Sequence, residues 1–169
     1  MNPIIHFTGP KEGVRGRRRR LGMIQISPSL PRLSVIGLGK LGSPMAACFA
    51  AHGFQVAGAD IDPAKVEAIN QGRAPVCETD LQHYLDLSRG RITATRDTAE
   101  AVDWSDVTFL IVPTPSDPEG GFSLRSALPA CESVGLALRR KTDFHVVVMT
   151  STVMPGSTDG PIRATLEEV

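Results

Sequence analysis

From residue 33 onward, short apolar runs alternate with segments whose apolar residues recur every three or four positions. The runs at 33–36, 54–59, 91–95, 106–112 and 144–149 read as strands. The fourth and fifth are nearly unbroken in apolar character, as parallel strands covered on both faces require. Helical spacing predicts helices over 41–52, 63–71, 79–87, 98–102, 124–140 and from 161 to 169. Cap signals agree with several of these starts: Asp62 before Pro63, Asp97 before Thr98, and Thr158 or Asp159 ahead of Pro161 in a first turn. Five strands, each followed by helix, predict an α/β chain with a doubly wound parallel sheet. A two-halved sheet of this kind has a sixth strand, and the 169 residues leave no run for it. The sheet is therefore expected to be truncated before its last strand, with an edge and a helix face open to a partner or to aggregation.

The junction between the first strand and first helix carries the most informative residues. Gly37-Leu38-Gly39-Lys40-Leu41-Gly42 follows an apolar strand and opens a helix. This is the Gly-x-Gly-x-x-Gly arrangement of a Rossmann-type dinucleotide site. Gly37 permits a tight turn, Gly39 lets backbone approach a pyrophosphate, and Gly42 lets the helix pack closely. The first amides of that helix lack partners and sit at the positive end of its dipole, which suits a phosphate. The second strand ends at Asp60, with Asp62 beyond it. Asp60 is assigned to the adenosine ribose and Asp62 to capping the next helix. A carboxylate at the ribose favours NAD over NADP, because it repels a 2′-phosphate.

Charge divides the chain in two. Residues 1–32 carry seven Lys/Arg and one acid, hence +6, whereas 33–169 carry −6, since the whole sums to zero. The chain is read as a basic, disordered extension (1–32) followed by a dinucleotide-binding domain (33–169). The run Arg17, Arg18, Arg19 and Arg20 is a candidate nucleic-acid patch, but neither aromatic nor further basic clusters support it, and the acidic body repels phosphate backbones. No apolar run is long enough to span a bilayer. No nucleic-acid or membrane partner is expected, and a cytoplasmic location is the default reading. Cys48, Cys77 and Cys131 show neither CxxC nor metal spacing, the four histidines show none either, and no metal is expected. Cys48 and Cys131 read as packing residues on helices, and Cys77, in a loop, as the one thiol worth testing.

Two further strand ends carry polar chemistry. Val112-Pro113-Thr114-Pro115-Ser116 is either a plain strand-to-loop break or a stiff turn presenting Thr114 and Ser116 to a ligand. Ser151-Thr152 is either a Ser/Thr turn or a pair of hydroxyls that bind ribose, water or a carbonyl.

Taken together, these stretches resemble the N-terminal domain of the UDP-glucose/GDP-mannose dehydrogenase family, the nucleotide-sugar 6-dehydrogenases. The resemblance spans 33–169. It rests on the glycine segment, Ala59-Asp60-Ile61-Asp62-Pro63-Ala64-Lys65-Val66, Pro75-Val76-Cys77-Glu78, Val112-Pro113-Thr114-Pro115-Ser116 and Ser151-Thr152-Val153-Met154-Pro155-Gly156. It implies an NAD-dependent enzyme that oxidises the C6 hydroxymethyl of a nucleotide sugar twice, to the carboxylate, and a homo-oligomer at full length. By matching positions, Gly37, Leu38, Gly39, Lys40, Leu41 and Gly42 cradle the pyrophosphate. Asp60 holds the adenosine ribose with Lys65 beside it, and Val112, Pro113, Thr114 and Pro115 line the nicotinamide side. Ser151 contacts the cofactor, and Thr152 matches the threonine that orders the catalytic water. Thr150 stands where many members have lysine, and Met154 where proline is frequent. The family's nucleophilic cysteine, catalytic lysine and aspartate, and most of its sugar site fall beyond residue 169, so this stretch alone is expected to be inactive. Two alternatives are a non-catalytic dinucleotide-binding module and the cofactor domain of a 6-phosphogluconate or β-hydroxyacid dehydrogenase. The Pro-Thr-Pro and Ser-Thr-Val-x-Pro-Gly segments argue against the second.

Overall fold

Strands with both faces apolar must be sandwiched, and the chain achieves this with one sheet and a helical layer on each side. The computed structural model describes residues 5–7, 30–88, 90–116 and 120–169. The strands are β1 (Ile5–Phe7), β2 (Leu33–Ile36), β3 (Val56–Ala59), β4 (Ile92–Thr95), β5 (Val107–Leu110) and β6 (His145–Met149). The helices are α1 (Gly42–Ala51), α2 (Pro63–Asn70), α3 (Leu81–Ser88), α4 (Thr98–Trp104), α5 (Ala127–Leu138) and α6 (Arg163–Glu168). The sheet order is β1-β6-β5-β2-β3-β4. Every pairing from β6 to β4 is parallel, and the direction of winding reverses at β2, between β3 and β5. The doubly wound parallel sheet expected from the sequence is present, and its ligand crevice lies at the carboxyl ends of β2 and its neighbours.

The outer edge of β6 differs from expectation. β1 pairs with it antiparallel, Ile5 opposite Val147 and Phe7 opposite His145. Three residues of the basic extension therefore form a strand at the position expected to be bare, because an unpaired row of amides and carbonyls accepts whatever strand can reach it. Residues 30–32 of the extension are also described, and the others, including the arginine run, lie outside the described residues.

One core, between the sheet, α1 and α3, contains Val35, Leu38, Ala46, Ala50, Ile69, Leu81 and Leu85. The other, beneath α4, α5 and α6, contains Leu110, Val134, Val147, Met149, Ile162 and Leu166. α6 lies so close to α5 that a Cβ at Gly135 would come within 2.3 Å of a Val169 methyl. Basic side chains close two helix ends: Arg91 donates to the Ala50 carbonyl at 2.8 Å, and Lys141 Nζ donates to the carbonyls of Val102, Asp103 and Ser105. A buried polar chain crosses the sheet from Ser105 through Ser34 and Thr108 to His145 Nε2, with separations of 2.8, 2.6 and 2.8 Å.

Several element boundaries differ from the sequence expectation, α5 for example spanning Ala127–Leu138 rather than 124–140, and two of the differences have a clear physical cause. The strand expected over 106–112 ends at Leu110, because β2, its neighbour, turns away at Gly37, whose φ is +102°. The last helix was expected to start at Pro161. Instead a wide π-type turn covers Thr158–Ile162, bent at Gly160 (φ −98°, ψ −110°), with Pro161 inside it, and α6 begins at Arg163. Proline supplies no amide to an ordinary first turn that already bends at the glycine before it.

Candidate functional site

The glycine loop is shaped by three different constraints. At Gly37 a Cβ would lie 2.1 Å from the Ile111 carbonyl oxygen, so the chain leaving β5 passes where a side chain would be. At Gly42 a Cβ would lie 1.8 Å from the Gly37 carbonyl oxygen, which lets α1 start directly against the turn. Gly39 is different: a Cβ there meets no atom within 4 Å. Nothing in the fold needs that glycine, so the open space above it is available to a ligand.

The amides around this space complete an anion site. Gly37 N–H donates to the Ala59 carbonyl at 2.7 Å, and Leu38 N–H to the Asp60 carboxylate at 2.7 Å. The next three amides, of Gly39, Lys40 and Leu41, find no acceptor among the described residues. They sit together at the amino end of α1, where the partial positive charge of the helix adds to their own dipoles.

Asp60 stands at the tip of β3 with its side chain only 7% exposed. Besides Leu38 N–H, it accepts the Asp62 amide at 2.9 Å, and Lys65 Nζ lies 3.2 and 3.4 Å from its two oxygens. The carboxylate and Lys65 are thus one ion pair beside the glycine loop. Asp62 caps α2, accepting the Ala64 amide at 2.9 Å with Pro63 at the first helical position, which matches its reading from sequence. Between the two acids, Ile61 is 90% exposed. An apolar residue flanked by two aspartates at a strand tip is the signal in the sequence that marks it.

On the other side of β2, β5 and β6 end together. Val112 N–H donates to Ser151 Oγ at 2.9 Å, and Ser151 Oγ donates to the Val112 carbonyl at 2.7 Å. Pro113 is exposed, and Thr114 and Pro115 are half-buried. The Pro115 carbonyl accepts the Ser123 amide at 2.8 Å, and Ser116 bridges Phe122, closing a short loop. Thr152 is exposed, while the hydroxyl of Thr150 is buried with no partner among the described residues. Strand order therefore sets the site residues in a row along one rim: Asp60 with Lys65, then the glycine loop, then Val112 with Ser151, and Thr152 beyond.

The thiols lie elsewhere. Cys131 is buried in α5, and burial pushes its thiol up to about 11. Cys48 is half-buried in α1 and Cys77 is exposed. No group of three metal-ligating side chains occurs among the described residues. A separate cleft of about 360 Å³ at the opposite end of the sheet is lined by Arg32, Asp103, Asp106, Arg140, Lys141 and Asp143. Its charges are largely matched within the fold, Arg32 with Asp106 and Arg140 with Asp103.

The family model for the NAD binding domain of the UDP-glucose/GDP-mannose dehydrogenase family matches residues 31–169. The chain belongs to that family. GDP-mannose 6-dehydrogenase of Pseudomonas aeruginosa is 38% identical over 139 residues, covering 81% of this chain and 32% of that protein. UDP-glucose 6-dehydrogenase AglM of Haloferax volcanii is 42% identical over 137 residues, covering 80% and 32%. The solved UDP-glucose dehydrogenase from Pyrobaculum islandicum superposes with a TM-score of 0.79 at 38% identity, covering 87% of this chain and 34% of that one. The chain spans about a third of the length of these dehydrogenases. For this domain of the UDP-glucose/GDP-mannose dehydrogenase family the cofactor is NAD. The residues present fit it: free amides and open space for the diphosphate, and a carboxylate for a ribose. No helix among the described residues is long and apolar enough to cross a membrane.

Proposed function

We propose that this chain is the cofactor half of a nucleotide-sugar 6-dehydrogenase, an oxidoreductase that converts the C6 hydroxymethyl of a UDP- or GDP-sugar to the carboxylate. When bound, NAD supplies the hydride acceptor for each of the two oxidations. The amides of Gly39, Lys40 and Leu41 receive the diphosphate above the open face of Gly39. Asp60 accepts the adenosine ribose hydroxyls, Lys65 steadies that carboxylate, and Ile61 offers its exposed side chain to the adenine. Val112, Pro113, Thr114 and Pro115 bound the nicotinamide side. Thr152, exposed at the tip of β6, is the hydroxyl that orients the water entering between the two oxidations.

None of the thiols here suits a nucleophile for this chemistry, since Cys131 is buried and Cys48 half-buried, away from the rim. Cys77, though exposed, is in the loop after α2. This stretch by itself is expected to bind NAD and not to turn over. The observation that carries the reading is the run of three amides with no acceptor among the described residues, beside the open space at Gly39. Calorimetric titration with NAD tests it, comparing the chain with Gly39→Val. The valine Cβ meets no atom of the fold within 4 Å and its methyls occupy the open space, so binding is expected to vanish while the protein still melts cooperatively. Equal NAD binding by both proteins would remove the assignment.

A further inference from the structure

β5 runs short of backbone donors as it leaves the sheet. The Ile111 amide still donates to the Ile36 carbonyl at 2.8 Å, but of the next four residues two are prolines, which have no amide to give. The Val112 peptide is held by a side chain instead of a strand. Its N–H donates to Ser151 Oγ at 2.9 Å, and its carbonyl accepts from the same hydroxyl at 2.7 Å. Behind this, the amides of Thr150 and Ser151 both donate to the Leu110 carbonyl, at 2.9 and 3.2 Å. A single hydroxyl thus does what the N–H and C=O of a strand residue would do, and extends the β5–β6 pairing past its last ladder residue. A serine hydroxyl has one proton, and here it is spent on Val112, leaving none to donate to a ligand.

We propose that Ser151 is a positioning residue: its hydroxyl clasps the Val112 peptide so that the 113–115 turn and Thr152 form one rigid rim, and it does not itself donate to the cofactor. The functional half of this inference rests on the NAD reading above. The structural half rests on the Val112–Ser151 geometry alone, and two measurements separate them.

In the full chain, amide hydrogen exchange followed by NMR is expected to show the Val112 amide exchanging about tenfold faster in Ser151→Ala, with Ile111 unchanged. Calorimetry is expected to show NAD binding weakened about tenfold in the same variant, while ADP, which lacks the nicotinamide half, binds as before. Ser151→Thr restores the hydroxyl and both readouts. Should Ser151→Ala fail to fold, Ser151→Cys keeps the volume with a weaker donor and carries the same comparison. Unchanged Val112 exchange would show that there is no clasp. Faster exchange with unaltered NAD binding, or equal losses for NAD and ADP, would remove the positioning role. If the unsubstituted chain binds neither nucleotide, the NAD reading fails and the positioning role with it, while the exchange result still decides the clasp.

Discussion

The amide of Leu38 donates to the Asp60 carboxylate at 2.7 Å across 22 residues of chain, tying the tip of β3 to the glycine loop. The carboxylate holds the loop in shape, and under the proposed function it also faces the ribose. A hydrogen bond to a charged acceptor is worth about 1.5–3 kcal/mol, so loss of the charge is expected to be felt in both. Asp60→Asn should weaken NAD at least tenfold, lower the melting temperature by several degrees, and narrow the preference for NAD over NADP. Calorimetric titration with both nucleotides, alongside a thermal melt, checks all three. An unaltered NAD to NADP ratio would place the ribose elsewhere.

Gly42 and Gly39 make opposite predictions within one motif. Gly42→Ala puts a methyl 1.8 Å from the Gly37 carbonyl oxygen, and backbone cannot swing aside as a side chain can. The expected loss is about 1–3 kcal/mol of stability, despite the roughly 1 kcal/mol that alanine gains over glycine in helix propensity. Gly39→Ala meets nothing within 4 Å and should leave stability unchanged. Urea denaturation of the two variants decides between this geometry and one in which both glycines are merely flexible.

His145 predicts an acid limb in the stability profile. Burial, together with the positive charge of Lys141, lowers its pKa from 6.5 to about 4. Its Nδ1 has no partner among the described residues, and Nε2 is held by Thr108. The unfolded chain takes up the proton first, so the neutral histidine's contribution is complete above pH 6.5 and shrinks steadily as the pH falls toward 4. The loss amounts to about 3 kcal/mol across that window, at 1.36 kcal/mol per unit. Urea midpoints between pH 7.5 and 4 measure it, and His145→Gln, which cannot titrate, should flatten the limb. A slope that survives in the glutamine variant belongs to the carboxylates instead.

The thiols should divide by exposure. Cys77 is exposed, whereas Cys131 is fully buried with its thiol raised to about 11. Under native conditions a disulfide reagent such as DTNB should label Cys77 rapidly and leave Cys131 untouched until denaturant is added. Mass mapping of the modified peptides reads this directly. Rapid native labelling of Cys131 would mean that α5 opens far more readily than its packing implies.

What the chain alone determined was mostly local in origin. The glycine spacing after β2, the capping of α2 by Asp62 and the alternation of apolar runs with helical faces depend on residues a few positions apart, so each was legible before any contact was known. The tertiary structure decided what depends on residues distant in sequence. The Ser151 hydroxyl is evident from sequence, but its exchange of hydrogen bonds with the Val112 peptide is set only by the packing of distant strand ends. β5 ends early because β2 turns away beside it, and Ile5–Phe7 becomes an edge strand only because β6 has a free side to pair with. Hydrogen-bonding capacity is written in the residue type, but which partner claims it is settled only when the sheet brings distant strand ends side by side.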